Sequence, residues 1–403
     1  MSTTLLAIAA QWLHMYNCLA VRTVAQFLTI STNDTVHTTS VTLVTPSGAI
    51  LRTIFITPKT AVAEIVSSTE RLYVVGQYDA LDRNSLVWDF VTETSQLAVI
   101  ERCFEGRLQT TCTTNGDIIL SLDWHPSGNW LAGGFHDNMI RIWDTSRSIW
   151  IYTICIEDHS DSIYSVRWNQ DGTRLASGSV DGTIRIWDAS NISADRSLKC
   201  VHVLHNPSQI YTIDWHPRGT CLASGSTDGK VRIWDLTVSI PTHHVLRGHT
   251  SLVAFVRWNS SGTQLASASH DLTIRIWDLN TWECKSILTH PSALHSMCWN
   301  PSGTQIVSGS WDTIIRIWDL TSTVPTCQLL KGHKHTIAAM CWDPFGPYLV
   351  SGSYDRTIRV WNMHTHTCTH MIPCNSWVRT LSWHPNKVLF ASGTENGTIQ
   401  AWK

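Results

Sequence analysis

Histidine, aspartate and serine recur together in this chain at spacings that could serve catalysis or hold a metal. In four sets the aspartate follows the histidine by 22 residues and a tryptophan follows the aspartate by 6. They are His159, Asp181 and Trp187; His249, Asp271 and Trp277; His290, Asp312 and Trp318; and His333, Asp355 and Trp361. A fifth, His205, Asp228 and Trp234, differs by one residue in its first interval. A serine stands inside each set, at Ser177, Ser224, Ser267, Ser308 or Ser351. Repetition decides between the two uses of such residues. A catalytic site is needed once, whereas a framework bond is needed in every structural unit. Buried polar groups must find partners, so the aspartate is expected to accept the histidine N–H and the serine to link histidine to the indole. The sets therefore read as scaffolding.

The elements that carry them are short strands. Leu175 to Asp188 reads as a strand, a tight Asp181-Gly182 turn and a second strand of alternating β-branched residues ending in Trp187-Asp188. The same phrase recurs with Trp-Asp at Trp88, Trp143, Trp187, Trp234, Trp277 and Trp318, and continues at Trp361 and Trp402. The intervals match those of four-stranded propeller blades. A second series, Trp124, Trp168, Trp215, Trp258, Trp299, Trp342 and Trp383, marks inner strands, each 19 residues before the later tryptophan. Counting a first unit around Trp88, which lacks the inner tryptophan, gives an all-β propeller of eight blades; seven blades plus an irregular N-terminal module is the alternative.

The last repeat ends at Trp402-Lys403 with no residues for an outer strand. An unpaired edge invites aggregation, so a strand from the N-terminal side, most economically residues 49–57, is expected to close the ring. The propeller is accordingly assigned to 49–403. Residues 1–48 lack the repeat and read as a cap or a LisH-like segment.

The composition excludes several classes. A formal net charge of −2 and 15% charged residues argue against a general polyanion-binding surface. Twelve cysteines occur without a C-x-x-C pair, which points to a reducing compartment, nuclear or cytoplasmic, and to no zinc knuckle. The apolar run at 5–10 is too short to span a bilayer and lacks a basic flank. No nucleophile elbow, P-loop, dinucleotide fingerprint or H-E-x-x-H motif is present. The expectation is a protein that is not an enzyme, with no cofactor, nucleic acid or membrane partner.

Two repeat positions should reach the mouth of the central channel, and they vary from repeat to repeat as a specific site requires. Four residues before the inner tryptophan stand Tyr164, Tyr211, His295 and Arg379; immediately before the turn aspartate stand His270, Trp311 and Tyr354. Aromatics with a polar edge are favoured interface anchors and could stack on a basic side chain. They could equally just fill the channel mouth. A peptide-binding surface is expected on the side of blades five to seven in the eight-blade count.

Gly248-His249, Gly332-His333 and Ile-Arg-Ile-Trp-Asp at 184–188 and 274–278 resemble the WD-repeat (transducin-beta-like) family. Within it the chain most resembles the transducin-beta-like corepressor subunits, on the blade count, the long connection at 90–117, Ser121-Leu122-Asp123-Trp124 and the LisH-like residues 5–27. That resemblance implies a non-catalytic nuclear scaffold of transcription regulation that binds deacetylase complexes and histone tails. The alternative is a scaffold of another assembly, in RNA processing, ubiquitin-ligase substrate reception or trafficking.

Overall fold

The computed structural model describes residues 104–403 apart from 105, 115, 147–149, 323 and 345, together with the backbone of six strands between residues 28 and 91. The chain divides into two compact units, Met1–Glu101 and Arg102–Lys403.

In the first unit the six strands form two three-stranded antiparallel sheets. One holds Leu28–Asn33, Thr38–Val44 and Ile50–Ile56; the other holds Ala61–Val66, Arg71–Gly76 and Leu86–Val91. Trp88, the first Trp-Asp tryptophan, lies in the last of these strands.

The second unit is seven four-stranded antiparallel sheets. Blade 1 starts at the inner strand Ile119–Trp124, and blades 2 to 7 start at Ile163–Trp168, Ile210–Trp215, Val253–Trp258, Leu294–Trp299, Ile337–Trp342 and Val378–Trp383. Each inner strand packs against the inner strands of its two neighbours, and that of blade 7 returns to that of blade 1. The sheets thus form a closed seven-bladed propeller. The expected eighth blade is absent, because the Trp88 strand belongs to the first unit.

The strand that closes the ring is also not the expected one. Leu108–Thr113 pairs antiparallel with Thr398–Trp402 and supplies the outer strand of blade 7. Residues Ile50–Ile56, within the stretch expected to do this, pair instead with Thr38–Val44. Backbone bonds in both directions between Arg107 and Lys403, each 2.9 Å, extend the seam. Part of the long connection at 90–117 is therefore a structural strand.

The alternation of the sequence explains the layering. Inner and second strands are buried on both faces, as in Trp130–Phe135, while outer strands such as Lys199–His205 and Thr367–Pro373 bury only alternate residues. Between blades, tryptophan and aliphatic side chains form seven clusters; one joins Ile140 and Ile142 of blade 1 to Val166 and Leu175 of blade 2. Polar bonds add register: Asp123 and Asp214 accept the backbone N–H of Trp168 and Trp258, one blade further on, at 2.8 Å.

Candidate functional site

The scaffold bonds bear first on whether the Ser–His–Asp sets can do chemistry. In blade 2 the His159 Nδ1 lies 2.8 Å from the Asp181 Oδ2 and its Nε2 2.7 Å from the Ser177 Oγ. The Trp187 indole donates to the same Oγ at 3.0 Å. Blades 4 and 6 repeat the arrangement with His249, Asp271, Ser267 and Trp277, and with His333, Asp355, Ser351 and Trp361. Burial holds His159 and His249 below the ordinary histidine value although Asp181 and Asp271 pull the other way, so the rings are neutral at pH 7. A neutral ring giving Nδ1–H to the carboxylate accepts the serine hydroxyl at Nε2. The serines are fully buried, with 0% exposure at Ser177, Ser267 and Ser351. No substrate carbonyl can reach those hydroxyls.

Two expected sets differ. The place of His205 in blade 3 is taken by Asn206, which stands 22 residues before Asp228; His205 itself is exposed at the end of the outer strand of blade 2. Asp228 turns instead to Arg232, at 2.7 Å, which with its other hydrogen bonds pulls it down to about 2 against the effect of burial. In blade 5, His290 occupies the expected place but bonds the Ser292 carbonyl at 3.0 Å and approaches Arg316 at 3.3 Å. Asp312 is held by Arg316 at 2.7 Å, not by the histidine. Trp234 and Trp318 keep their serine bonds, to Ser224 and Ser308 at 2.9 Å.

The residue two positions after the aspartate accounts for the difference. Thr183, Thr273 and Thr357 donate to the Oδ1 of Asp181, Asp271 and Asp355 at 2.6–2.7 Å, which leaves Oδ2 for the histidine. Lys230 and Ile314 carry no hydroxyl there, and an arginine four residues after the aspartate takes the carboxylate. Blade 1, with Met139, follows the same rule through Arg141 and Asp137.

The variable positions gather at one end of the channel. In each blade the N–H of the residue before the turn aspartate bonds a carbonyl just ahead of the inner strand. Examples are His270 to Leu252, Trp311 to Ala293 and Tyr354 to Thr336, at 3.0–3.2 Å. This bond locks both rim positions to one level. Tyr164, Tyr211, His270, His295, Tyr354 and Arg379 line a single cavity of about 250 Å³. Trp311 does not line it; it stands at the edge, 58% exposed, its ring 6.4 Å from His270. His270, Trp311 and Tyr354 belong to blades 4, 5 and 6 of the seven.

Tyr164 and Tyr211 rings approach to 4.5 Å. Arg379 donates to the Tyr354 hydroxyl at 2.8 Å and to the Glu395 carboxylate. Burial pushes His295 down to about 4, so it is neutral at pH 7. Two rim residues were not anticipated. Trp377, 39% exposed, stacks on Tyr354 at 4.8 Å, and His335 approaches the same ring at 6.0 Å. Trp377 stands two residues before Arg379, a third variable position at the mouth, and its N-terminal offset from the inner strand was the available signal.

Seven matches to the family described as WD domain, G-beta repeat, fall at 106–144, 150–188, 198–235, 241–278, 282–319, 325–362 and 366–403. The chain belongs to the WD-repeat family. The matches agree with the blade count, and each WD repeat begins with the outer strand of the preceding blade, so the first includes the closing strand Leu108–Thr113. No individual curated protein matches the chain. The WD-repeat fold marks it as a protein-interaction scaffold. Among the described residues no helix is long and apolar enough to cross a membrane, and no three histidine, cysteine or acidic side chains are grouped to hold a metal.

Proposed function

We propose that this protein is a non-catalytic scaffold that captures a peptide segment of a partner protein over the channel mouth, on the side of blades 4 to 7. The observation that carries this is the exposed aromatic rim of Trp311 and Trp377 around a cavity lined by tyrosine and histidine. Large aromatics with half their surface free give contact area at small entropic cost, and they dominate interface energetics. The absence of an accessible nucleophile in the Ser–His–Asp sets supports the non-catalytic reading.

The finer assignment, a nuclear corepressor subunit bound to deacetylase complexes and histone tails, loses the support of the blade count in a seven-bladed ring. Of its other supports, part of the connection at 90–117 is the closing strand Leu108–Thr113, and Ser121-Leu122-Asp123-Trp124 falls in an ordinary inner strand. The LisH-like residues 5–27 lie outside the described residues. A channel lined by arginines also suits a basic tail poorly. A scaffold in another assembly, nuclear or cytoplasmic, fits the same rim.

Affinity purification of the tagged protein, compared with the Trp311→Ala and Trp377→Ala variants, tests the proposal. Partners that depend on the rim are recovered with the wild type and lost with both variants, at unchanged melting temperature. Recovery of every partner with both variants would place the binding surface elsewhere.

A further inference from the structure

We infer that the cavity within the aromatic rim is built to receive an acidic side chain, with Arg257 as the residue that binds its carboxylate. This deepens the peptide-docking proposal and rests on it. Arg257 stands further along the inner strand than the rim positions. The cavity is lined by three arginines, Arg167, Arg257 and Arg379, by two histidines and three tyrosines, and by no aspartate or glutamate. Two of the arginines are already committed. Arg167 lies between Asp123 at 3.5 Å and Asp214 at 3.9 Å, and Arg379 is paired with Glu395.

Arg257 differs. Its Nη1 donates to the Val256 carbonyl at 2.7 Å, and its guanidinium lies 5.6 Å from the Phe255 ring centroid. Among the described residues it has no carboxylate within 4.0 Å. It is half-buried, and burial with the nearby Arg167 pushes its pKa down to about 10 although Asp214 and Asp123 pull the other way. Its exposed part lines the cavity.

Asp214 feels the charge of Arg257, but the neighbouring blades explain why no carboxylate bonds that guanidinium. Immediately before the inner tryptophan, blades 1 to 4 carry Asp123, Arg167, Asp214 and Arg257, an alternating series of charges. Blades 5 to 7 carry Cys298, Cys341 and Ser382 at the same position. Arg257 thus ends the series and has thiols, not carboxylates, on its far side. Both aspartates are turned to the backbone N–H groups of Trp168 and Trp258 and do not line the cavity.

A planar fork with free donors matches a carboxylate, and such charge-assisted bonds strengthen where water is excluded. The size allows one side chain. Charge selects among anions: two aspartates sit behind two arginines, so the wall tolerates one added negative charge more readily than the two of a phosphomonoester. The neutral His295 and the tyrosine hydroxyls supply further hydrogen bonds without adding charge. The class of ligand is therefore a protein segment that inserts a glutamate or aspartate, with its flanks on Trp311 and Trp377.

Immobilised octapeptide pools, acetylated and amidated at their ends, test this on the full-length protein. The pools have random flanks and a central Glu, Asp, Gln, phosphoserine or Lys. Wild type is expected to bind the Glu and Asp pools roughly tenfold or more above the Gln pool, the worth of one charge-assisted bond. Arg257→Met brings the acidic pools down to the Gln level, Arg257→Lys keeps the charge without the fork and retains only part of the preference, and Trp311→Ala weakens all pools alike. Equal binding of Glu and Gln, or a preference for Lys, overturns the inference and leaves the docking proposal standing. Phosphoserine above Glu overturns the choice of carboxylate. A Glu preference that survives Arg257→Met overturns the role of that residue, and no binding to any pool removes both proposals. A full preference in Arg257→Lys at unchanged melting temperature would show that charge alone suffices and overturn the planar-fork mode.

Discussion

The sharpest expectation from the framework is that two histidines with identical spacing to their aspartates couple to them differently. His249→Ala removes two hydrogen bonds, to Asp271 at 2.8 Å and to Ser267 at 2.7 Å. Asp271 is not orphaned, but the buried Ser267 O–H loses its acceptor. Asp271 keeps Thr273 and the backbone N–H of Thr250, and Ser267 still accepts from the Trp277 indole at 2.8 Å. The loss is then one bond to a charged acceptor and one neutral bond, about 2–4 kcal/mol in total. A double-mutant cycle with Asp271→Ala isolates the pair term, about 1–2 kcal/mol for side chains in direct contact. The same cycle on His290 and Asp312, which do not bond each other but share Arg316, is expected to give a smaller term. Urea unfolding followed by far-UV circular dichroism and by tryptophan fluorescence measures both, provided the two probes coincide. Equal coupling in the two blades would refute the reasoning.

Three other outcomes follow from the same geometry. Deleting Leu108–Thr113 exposes the edge of Thr398–Trp402 and is expected to abolish cooperative melting, whereas a chain starting at Arg102 melts as a cooperative unit; calorimetry of both decides it. Ile314→Thr supplies the hydroxyl that orients the aspartate in blades 2, 4 and 6, so the His290–Asp312 coupling should rise towards that of His249–Asp271. The pH dependence has a definite sign. His290, His295 and His384 are pushed by burial down to about 4, below the value of about 6.5 in an unfolded chain. The unfolded chain therefore takes up protons first, and the stability present above about pH 6.5 falls as pH drops towards 4. A flat melting temperature across that range would contradict these assignments.

The repeat and its inner tryptophan series were legible in the sequence because both are dictated by burial. Seven tryptophans at a constant offset mark seven blades. The eighth was added for Trp88, which lacked the inner partner and had a longer turn; those two departures were the better guide. The need for a closing strand was also legible, from the missing outer strand after Trp402. Its location was not. Leu108–Thr113 is threonine-rich and largely exposed, as an outer strand with one wet face tends to be, and so reads as a loop. In the site, positional variability picked out Tyr354 and Arg379 at the cavity, but Arg257 escaped notice because it occupies a repeat position that looks structural in the other blades.

The aspartate partners alternate around the ring: arginine in blades 1, 3 and 5, histidine in blades 2, 4 and 6. An odd number of blades cannot alternate without a break, and the break falls in blade 7. There the turn residue is Asn396, bonded to Thr394 at 2.7 Å, and the histidine place is held by Cys374. This blade lacks the link to a turn aspartate, its ion pair being Arg379 with Glu395, and it is the one completed by a strand from the other end of the unit. Local opening is governed by the weakest set of bonds, so native-state hydrogen exchange should protect Ile399 and Ala401 less than Ile274 and Ile276 in blade 4. Slower exchange in blade 7 than in blade 4 would mean that the apolar seam around Phe390 and Trp402, not the polar framework, sets the order in which the blades open.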